Sequence, residues 1–322
     1  MLCGIVVKIH SGFAKTYSAF CEQRIDMAQK FFHTIICIAI SLAVLFTEAA
    51  TTNTTVNAAS DIHSYPVIPS MTGWVGARTA YLARRGLRLG NRAHVFSKIG
   101  DSITSWTFFL TPFATGAYDL GSYSNLKPVI AAFSQDGTRI GTSFANYSLA
   151  ADGGWTAADL LDPAKANPGA CGKAETPLDC ELRVNKPEIA LVMIGTNDLL
   201  DGNVAKFSAT LHRVLTTIEN HYVIPVVSTI PYRRDIPTLE SRVPSYNQAI
   251  INLALAHGAP LWNYWLAVEG LPSNGVSIDG IHPSVPGDGA TAVFDAAHLQ
   301  FGFTVRNLTA LQVLQRLMIV LN

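Results

Sequence analysis

Charge is sparse in this sequence. Of its 322 residues only 14% are charged, and 23 basic side chains balance 23 acidic ones. No long run of lysine or arginine occurs anywhere along the chain. A nucleic-acid-binding surface needs clustered basic side chains, because these displace counterions from the phosphate backbone. The composition therefore argues against nucleic acid as a partner.

Cysteine is scarce as well, and three of the five cysteines fall at or before Cys37. The other two, Cys171 and Cys180, stand in a segment rich in proline, glycine and alanine. Closing so short a loop with a disulfide would stabilise the fold by roughly 2–3 kcal/mol. The alternative is a metal-binding pair, but no histidine or second cysteine pair stands nearby to complete such a site. We therefore predict a disulfide between Cys171 and Cys180, and no metal.

The sequence also lacks an apolar run long enough to span a bilayer. Its amino-terminal apolar run, 31–46, has 16 residues and includes a histidine and a threonine, whereas a spanning helix needs roughly 20 apolar residues. Lys30 precedes this run and small residues follow it at 47–50, an order typical of a secretory signal peptide. We predict a signal peptide around residues 27–50 and hence a secreted protein. An uncleaved anchor is the alternative, and this leader would then be the protein's only contact with a membrane.

Internal repeats and interdomain linkers are absent from the remainder of the chain. Because Met27 stands just upstream of the signal, residues 1–26 are interpreted as a mis-assigned start or a leader extension. The tract 50–60, rich in threonine, asparagine and alanine, is typical of a disordered spacer. We therefore assign residues 27–60 to the signal peptide and spacer, and residues 61–322 to a single domain.

Apolar segments alternate with segments of helical periodicity through this domain. We predict strands at 95–99, 144–149, 189–194, 223–230 and 260–264. We predict helices at 77–89, 127–133, 204–221, 246–257 and 308–321, a further helix that starts at Thr156, and a long loop at 162–188. This alternation is typical of an α/β fold in which helices cover both faces of a parallel sheet of about five strands.

Four short motifs stand beyond the ends of the predicted strands. They are Gly100-Asp101-Ser102, Gly153-Gly154-Trp155-Thr156, Gly195-Thr196-Asn197-Asp198 and, after the last strand, Asp279-Gly280-Ile281-His282-Pro283. The carboxyl ends of parallel strands meet at one edge of a sheet, where open α/β folds bind their ligands. We therefore expect the four motifs to surround one site.

Two of these motifs carry the residue types of nucleophilic catalysis. A serine hydroxyl attacks an acyl carbon only when a base takes its proton, and His282 would serve Ser102 in that way. Asp279 could fold back across one glycine and orient the imidazole through its other nitrogen. An ordinary helix N-cap is the alternative interpretation of the serine motif. Asp101 is expected to brace the nucleophile loop through hydrogen bonds and not to take part in the reaction.

The other motifs supply hydrogen-bond donors. An attacked carbonyl develops negative charge on its oxygen, and donors that already point at this oxygen lower the barrier. The amide of Ser102, the amide of Gly154 and the side-chain amide of Asn197 are predicted to form this oxyanion hole. The alternatives are a tight turn at Gly154 and a left-handed turn residue at Asn197. Asp198 is expected to cap the helix that follows it.

Aromatic residues flank the motifs at Trp106, Phe108, Phe109 and Trp155. Large aromatic side chains are more often packed in a core than placed in a site, so core positions are expected for these four. The alternative is that they line a pocket for an acyl chain or a sugar.

The four motifs together resemble those of the SGNH hydrolases, also called GDSL-type esterases and lipases. That family is named for a serine, a glycine, an asparagine and a histidine in four blocks, which Ser102, Gly154, Asn197 and His282 match in order. Ile103 departs from the pattern, since it stands where leucine gives the family its other name. The resemblance covers roughly residues 94–322 and implies a flavodoxin-like, three-layer α/β/α sandwich that hydrolyses esters without a metal.

These observations predict a secreted serine esterase in which Ser102, His282 and Asp279 are catalytic. The expected substrate is a small-molecule, lipid or carbohydrate ester, and no cofactor is expected. The alternatives are an acyltransferase or deacetylase that acts on exported polysaccharide, and a catalytically silent carbohydrate-binding relative. A metal-dependent hydrolase that uses Asp101, Asp198 and His282 is disfavoured, because it would lack the clustered histidines usual for such sites.

Overall fold

A parallel sheet of four strands lies at the centre of the computed structural model, which describes residues 61–135 and 137–321. The strands lie side by side in chain order and all run parallel. They are β1 (Arg92–Gly100), β2 (Pro187–Met193), β3 (Ile224–Ser228) and β4 (Leu261–Trp262). The predicted signal peptide and spacer fall outside the described residues, and the domain boundaries stay predictions.

The prediction of a strand at 144–149 is wrong. The backbone of this part of the chain pairs with the sheet through one parallel bridge, between Ala151 and Gly100. The bridged segment lies on one side of β1 and β2 lies on the other, which is the strand order of flavodoxin-like folds. The direction of winding therefore reverses between β1 and β2, where such sheets bind their ligands.

Side chains replace the missing strand along the outer edge of β1. The Phe96 N–H donates to the Ser143 hydroxyl at 3.0 Å, and Lys98 Nζ donates to the Phe144 carbonyl at 3.1 Å. On this side of β1, the Phe96 N–H and the Phe144 carbonyl are thus paired with side chains and not with a ladder of backbone hydrogen bonds. Phe144 and Leu149 of this segment are buried without pairing in the sheet, whereas Tyr147 is exposed.

Helices cover both faces of the sheet, so that the fold has the predicted α/β/α layers. Helices α1, α4 and α10 pack on one face, and α5, α6 and α8 pack on the other. The helices are α1 (Gly73–Arg88), α2 (Ser102–Ser105), α3 (Thr111–Thr115), α4 (Lys127–Phe133), α5 (Pro177–Asn185), α6 (Val204–Asn220), α7 (Pro237–Glu240), α8 (Val243–His257), α9 (Tyr264–Val268) and α10 (Gly302–Leu321). The sequence predicts a helix that starts at Thr156, but this prediction is wrong: the chain forms short 3-10 turns there, at Asp159–Leu161 and Pro163–Lys165.

Helix α6 shows how the sequence fixes these elements. The Asn203 side chain accepts a hydrogen bond from the Lys206 N–H at 3.0 Å, which caps the first turn. The apolar side chains that follow recur at helical spacing and form one buried stripe, which comprises Phe207, Leu211, Val214, Leu215 and Ile218. Burial of this stripe against β3 holds the helix on the sheet.

Helix α5 lies inside the segment 162–188 that is predicted to be a loop. Thr176 caps it by accepting from the Asp179 N–H at 3.1 Å, and Pro177 occupies its first turn. These two residues are a helix-start signal that the composition of the surrounding segment obscures. The helix carries Cys180, which forms the predicted disulfide with Cys171.

Helix α10 begins at Gly302, before the predicted start at residue 308. Its first turns are buried on every side, so they show no amphipathic stripe in the sequence. Polar residues lie among these buried positions, namely Thr304, Arg306, Asn307 and Thr309. Periodicity cannot identify such a segment, because buried polar residues interrupt the apolar pattern; Arg306, Asn307 and Thr309 are each held there by specific hydrogen bonds.

No helix in the part of the chain at 61–135 and 137–321 combines the length and the apolar character that crossing a membrane requires.

Candidate active site

The end of β1 delivers Ser102 to the carboxyl edge of the sheet. Gly100 is enclosed there, and a Cβ at this position would overlap the Met193 carbonyl oxygen and the Thr104 hydroxyl. Asp101 then caps α2, since its Oδ1 accepts from the Ile103 N–H at 3.0 Å. Ser102 is therefore the first residue of a helical turn, with its side chain half-buried beyond the strand.

The hydroxyl of Ser102 meets His282, although 180 positions separate the two residues in the sequence. Ser102 Oγ lies 2.9 Å from His282 Nε2, and His282 Nδ1 lies 2.6 Å from Asp279 Oδ2. The imidazole is mostly enclosed, with 15% of the side chain exposed. The three side chains thus form a continuous hydrogen-bonded chain from hydroxyl to carboxylate.

Asp279 is held in this chain by its own loop. Its Oδ1 accepts from the Ser277 hydroxyl at 2.5 Å, from the Ile281 N–H at 2.9 Å and from the His282 N–H at 3.0 Å. Gly280 makes the tight turn possible, with φ at +74° and no room for a Cβ beside the Asp235 backbone. Oδ2 is left free to face the imidazole.

The same contacts set the charge of Asp279. Partial burial acts to raise its pKa, but the hydrogen bonds from Ser277, the Ile281 N–H and His282 outweigh burial and hold the pKa well below its usual value. A carboxylate that stays ionised near neutral pH therefore faces His282 Nδ1. This arrangement favours the imidazole tautomer whose Nε2 is free to accept the serine proton.

Trp106 packs flat against the imidazole. The two ring centroids are 4.0 Å apart and the planes differ by 17°. Phe303 stacks nearly parallel to the same indole at 6.1 Å. Trp106 is nonetheless 38% exposed, so the expectation of a core position is wrong for this residue. Phe109 and Trp155 do lie in the core, and Phe108 is partly buried against it.

Gly154 stands in an exposed turn with φ at +75°, a conformation that favours glycine. Among the described residues, no group accepts a hydrogen bond from its N–H or from the N–H of Ser102. Asn197 is joined to the Gly154 turn, because its Nδ2 donates to the Trp155 carbonyl at 2.9 Å. Gly154 and Asn197 also line one cleft of about 260 Å³. No hydrogen bond joins either of them directly to Ser102 in the described chain.

Asp198 differs from its expected role as a helix cap. Its carboxylate accepts from the Ala157 N–H of the neighbouring loop at 3.0 and 3.2 Å. Burial raises the pKa of Asp198 to about 6, and burial likewise raises the pKa of Asp101 to about 6. Each carboxylate thus accepts a hydrogen bond from a backbone N–H and holds a loop in place.

Two buried arginines near the site escape sequence reasoning. Arg306, from α10, donates to the Ile103 carbonyl and, at 3.0 Å, to the Thr104 hydroxyl, so it grips the turn that carries the serine. Arg233, which follows β3, donates to the Thr196 carbonyl at 2.7 Å. A single arginine outside any motif gives no indication in the amino-acid sequence that it lies near the site. Inside an apolar helix, Arg306 could only have been flagged as a charge that needs partners.

The sequence model of the GDSL-like Lipase/Acylhydrolase family matches residues 99–290, more than half of the chain. No curated protein shows significant sequence similarity to the chain.

Several solved structures are similar. A GDSL-like lipase from Bacteroides thetaiotaomicron is 13% identical, with 76% of this chain and 99% of that chain covered and a TM-score of 0.43. A lipase/acylhydrolase from Enterococcus faecalis is 21% identical, with coverage of 67% and 95% and a TM-score of 0.42. A catalytic mutant of an acetylxylan esterase from Geobacillus stearothermophilus is 15% identical, with coverage of 70% and 95% and a TM-score of 0.45.

Proposed function

Because the chain belongs to the GDSL-like lipase/acylhydrolase family and is thus a carboxylic ester hydrolase, we propose that it works as a serine esterase with Ser102 as nucleophile. The observation that carries this assignment is the hydrogen bond of 2.9 Å between Ser102 Oγ and His282 Nε2, with Asp279 on the far side of the ring. Nucleophile, base and orienting acid stand in the order that acyl transfer requires.

In the first half of the reaction, Ser102 Oγ attacks the acyl carbon while His282 Nε2 takes the hydroxyl proton. The imidazolium that forms is stabilised by the ionised Asp279 at 2.6 Å. The carbonyl oxygen becomes an oxyanion, which the N–H groups of Ser102 and Gly154 and the Asn197 amide would bind. The ester C–O bond then breaks, and the leaving alkoxide takes the proton from His282.

In the second half, water attacks the acyl group on Ser102 while His282 again accepts a proton. The bond between the acyl carbon and Oγ breaks, the serine regains its proton from the imidazolium, and the carboxylic acid leaves. Every proton passes through His282 Nε2, so the cycle restores the free enzyme with one ester and one water consumed.

Hydrolysis of short p-nitrophenyl esters and labelling by a fluorophosphonate test the assignment together. Ser102→Ala is expected to lose at least about a thousandfold in kcat and all labelling, since the nucleophile is gone. Ser105→Ala is the matched control, because it removes a hydroxyl from the same short helix without touching His282. A Ser102→Ala variant with wild-type turnover, or a label found on another residue, would refute the proposal.

Secretion is the second part of the proposal. The disulfide between Cys171 and Cys180 supports it, because such bonds persist in oxidising compartments outside the cytosol. The predicted signal peptide around residues 27–50 supplies the route. Mass spectrometry of the protein recovered from culture medium is expected to find a new amino terminus beyond the apolar run 31–46. Recovery of the uncleaved chain from the cytosol would contradict this part alone.

A further inference from the structure

Arg233 lies behind the proposed oxyanion hole and contacts the loop that carries Asn197. The residue is 4% exposed. Its Nη1 donates to the Thr196 carbonyl at 2.7 Å and to Asn197 Oδ1 at 3.3 Å. A buried guanidinium thus touches the very side chain whose amide is proposed to bind the oxyanion.

Asp235 fixes the direction of this guanidinium. Its Oδ1 accepts from Arg233 Nε at 2.9 Å and its Oδ2 accepts from Arg233 Nη2 at 3.0 Å. The hydrogen bonds from Arg233 also hold the pKa of Asp235 below its usual value, so the pair stays charged near neutral pH. A bidentate pair of this kind orients the planar fork and leaves Nη1 to face the Asn197 loop.

The two neighbours of the Asn197 amide decide which way it points. Arginine can only donate, so Oδ1 must face Arg233, and the Trp155 carbonyl can only accept, so Nδ2 must face Trp155. Rotating the amide by half a turn would set donor against donor and acceptor against acceptor. Nδ2 donates one hydrogen to the Trp155 carbonyl, and the second has no acceptor within residues 61–135 and 137–321, so it is available to a ligand.

We propose that Arg233 is a positioning residue for ester hydrolysis, which keeps the free Nδ2 hydrogen of Asn197 aimed at the oxyanion and polarises the amide through Oδ1. This inference rests on the proposed serine esterase function. It assigns Arg233 no contact with the substrate. Its effect therefore passes through Asn197 and belongs to the transition state, where the oxyanion exists.

A double-mutant cycle on p-nitrophenyl acetate tests the proposal. Loss of an oxyanion-hole donor lowers kcat by about 10²–10³, and Asn197→Ala is expected to fall in that range. Arg233→Met, which keeps bulk but loses every donor, is expected to lower kcat by roughly 10–100-fold with KM changed less than about threefold. In the Asn197→Ala background the same change should lower kcat less than about threefold, because the amide it orients is absent.

Arg242→Met is the matched control. Arg242 Nη1 donates to the Leu199 carbonyl at 2.6 Å, so this arginine also holds the loop after β2, and within the described residues it makes no hydrogen bond with Asn197. It is expected to keep wild-type kcat. All rates are expressed per site titrated with a fluorophosphonate, so that unfolded protein does not enter the value. Arg233→Lys, which keeps a charge and a donor, replaces the methionine variant if that chain does not fold, with a smaller loss expected.

Two results would overturn the positioning role. One is a kcat that stays at the wild-type value when Arg233 loses its donors. The other is a loss of equal factor in the presence and absence of the Asn197 amide, which would show that Arg233 merely supports the loop. Failure of the serine esterase function itself looks different, because turnover and labelling would then survive Ser102→Ala.

Discussion

Replacing Asp279 with asparagine should be far more damaging than the loss of a single charge suggests. Asparagine fits the same space, but it presents one acceptor and one donor where the carboxylate presents two acceptors. Oδ1 of Asp279 already receives the Ile281 and His282 N–H groups and the Ser277 hydroxyl. The amide oxygen is expected to keep these three donors, which directs the NH₂ group at His282 Nδ1.

In that orientation the imidazole must accept at Nδ1 and carry its proton on Nε2, facing the Ser102 hydroxyl. Such a tautomer cannot take the serine proton. The productive tautomer requires a flipped amide that leaves the two backbone N–H groups of residues 281 and 282 unsatisfied, at about 1–3 kcal/mol each. Losing the charged partner of the imidazolium removes about 1.5–3 kcal/mol more.

The sum is at least about 3.5 kcal/mol, which corresponds to a kcat/KM at least roughly 400-fold lower for Asp279→Asn on p-nitrophenyl acetate. Ser277→Ala, which removes one donor and leaves the carboxylate in place, is expected to stay within about tenfold of the wild type. Nitrogen chemical shifts of the imidazole report the tautomer directly. Activity of Asp279→Asn within about tenfold of the wild type would show that the orientation of His282 is set elsewhere.

Two further predictions follow from the surroundings of the site. Trp106→Leu removes an aromatic ring whose centroid lies 4.0 Å from that of the imidazole. Such a ring stabilises a cation by roughly 1 kcal/mol, so kcat/KM should fall about fivefold in Trp106→Leu and stay within about twofold of the wild type in Trp106→Phe. Equal losses for the two variants would indicate a packing effect. Burial raises the pKa of Asp101 to about 6, so the stability linked to this group is present below about pH 4 and is lost as the pH rises through 6. Asp101→Asn keeps the acceptor for the Ile103 N–H but does not titrate. In urea titrations, the free energy of unfolding of the variant minus that of the wild type should increase by roughly 2 kcal/mol as the pH is raised from about 4 to about 7. A difference that does not change with pH would contradict this.

The sequence predicts the fold where apolar pattern and turn chemistry agree. The run at 189–194 is apolar throughout, as a central parallel strand requires, and the structure has β2 there. The run at 144–149 is also predicted as a strand, yet it is an irregular segment. The Phe144 carbonyl accepts from Lys98 Nζ, and the preceding Ser143 hydroxyl accepts from the Phe96 N–H. The local pattern of apolar residues indicates burial in both runs. Only contacts with other parts of the chain decide whether the run joins the sheet through a ladder of backbone hydrogen bonds.

For the proposed catalytic groups too, the sequence predicts some features and not others. Motif order and the geometry of parallel sheets suffice to predict that Ser102 and His282 lie at one edge, where the structure has them within hydrogen-bonding distance. The residues that hold the motifs in place carry no such signal. Arg233 and Arg306 reach the site from elements distant in sequence, and their effect depends on three-dimensional contacts that no spacing encodes.

Lys98 of β1 and Ser143 of the neighbouring segment lie along the outer edge of β1, and they affect whether another molecule can associate there. An open strand with unused amide and carbonyl groups invites another chain to add itself there, which is a route to aggregation. Lys98 lies at that edge with 6% of its surface exposed, and burial lowers its pKa to about 8. A strand from another molecule could dock here only after the Lys98 ammonium lost its hydrogen bond to the Phe144 carbonyl, so this edge of β1 is protected against strand addition.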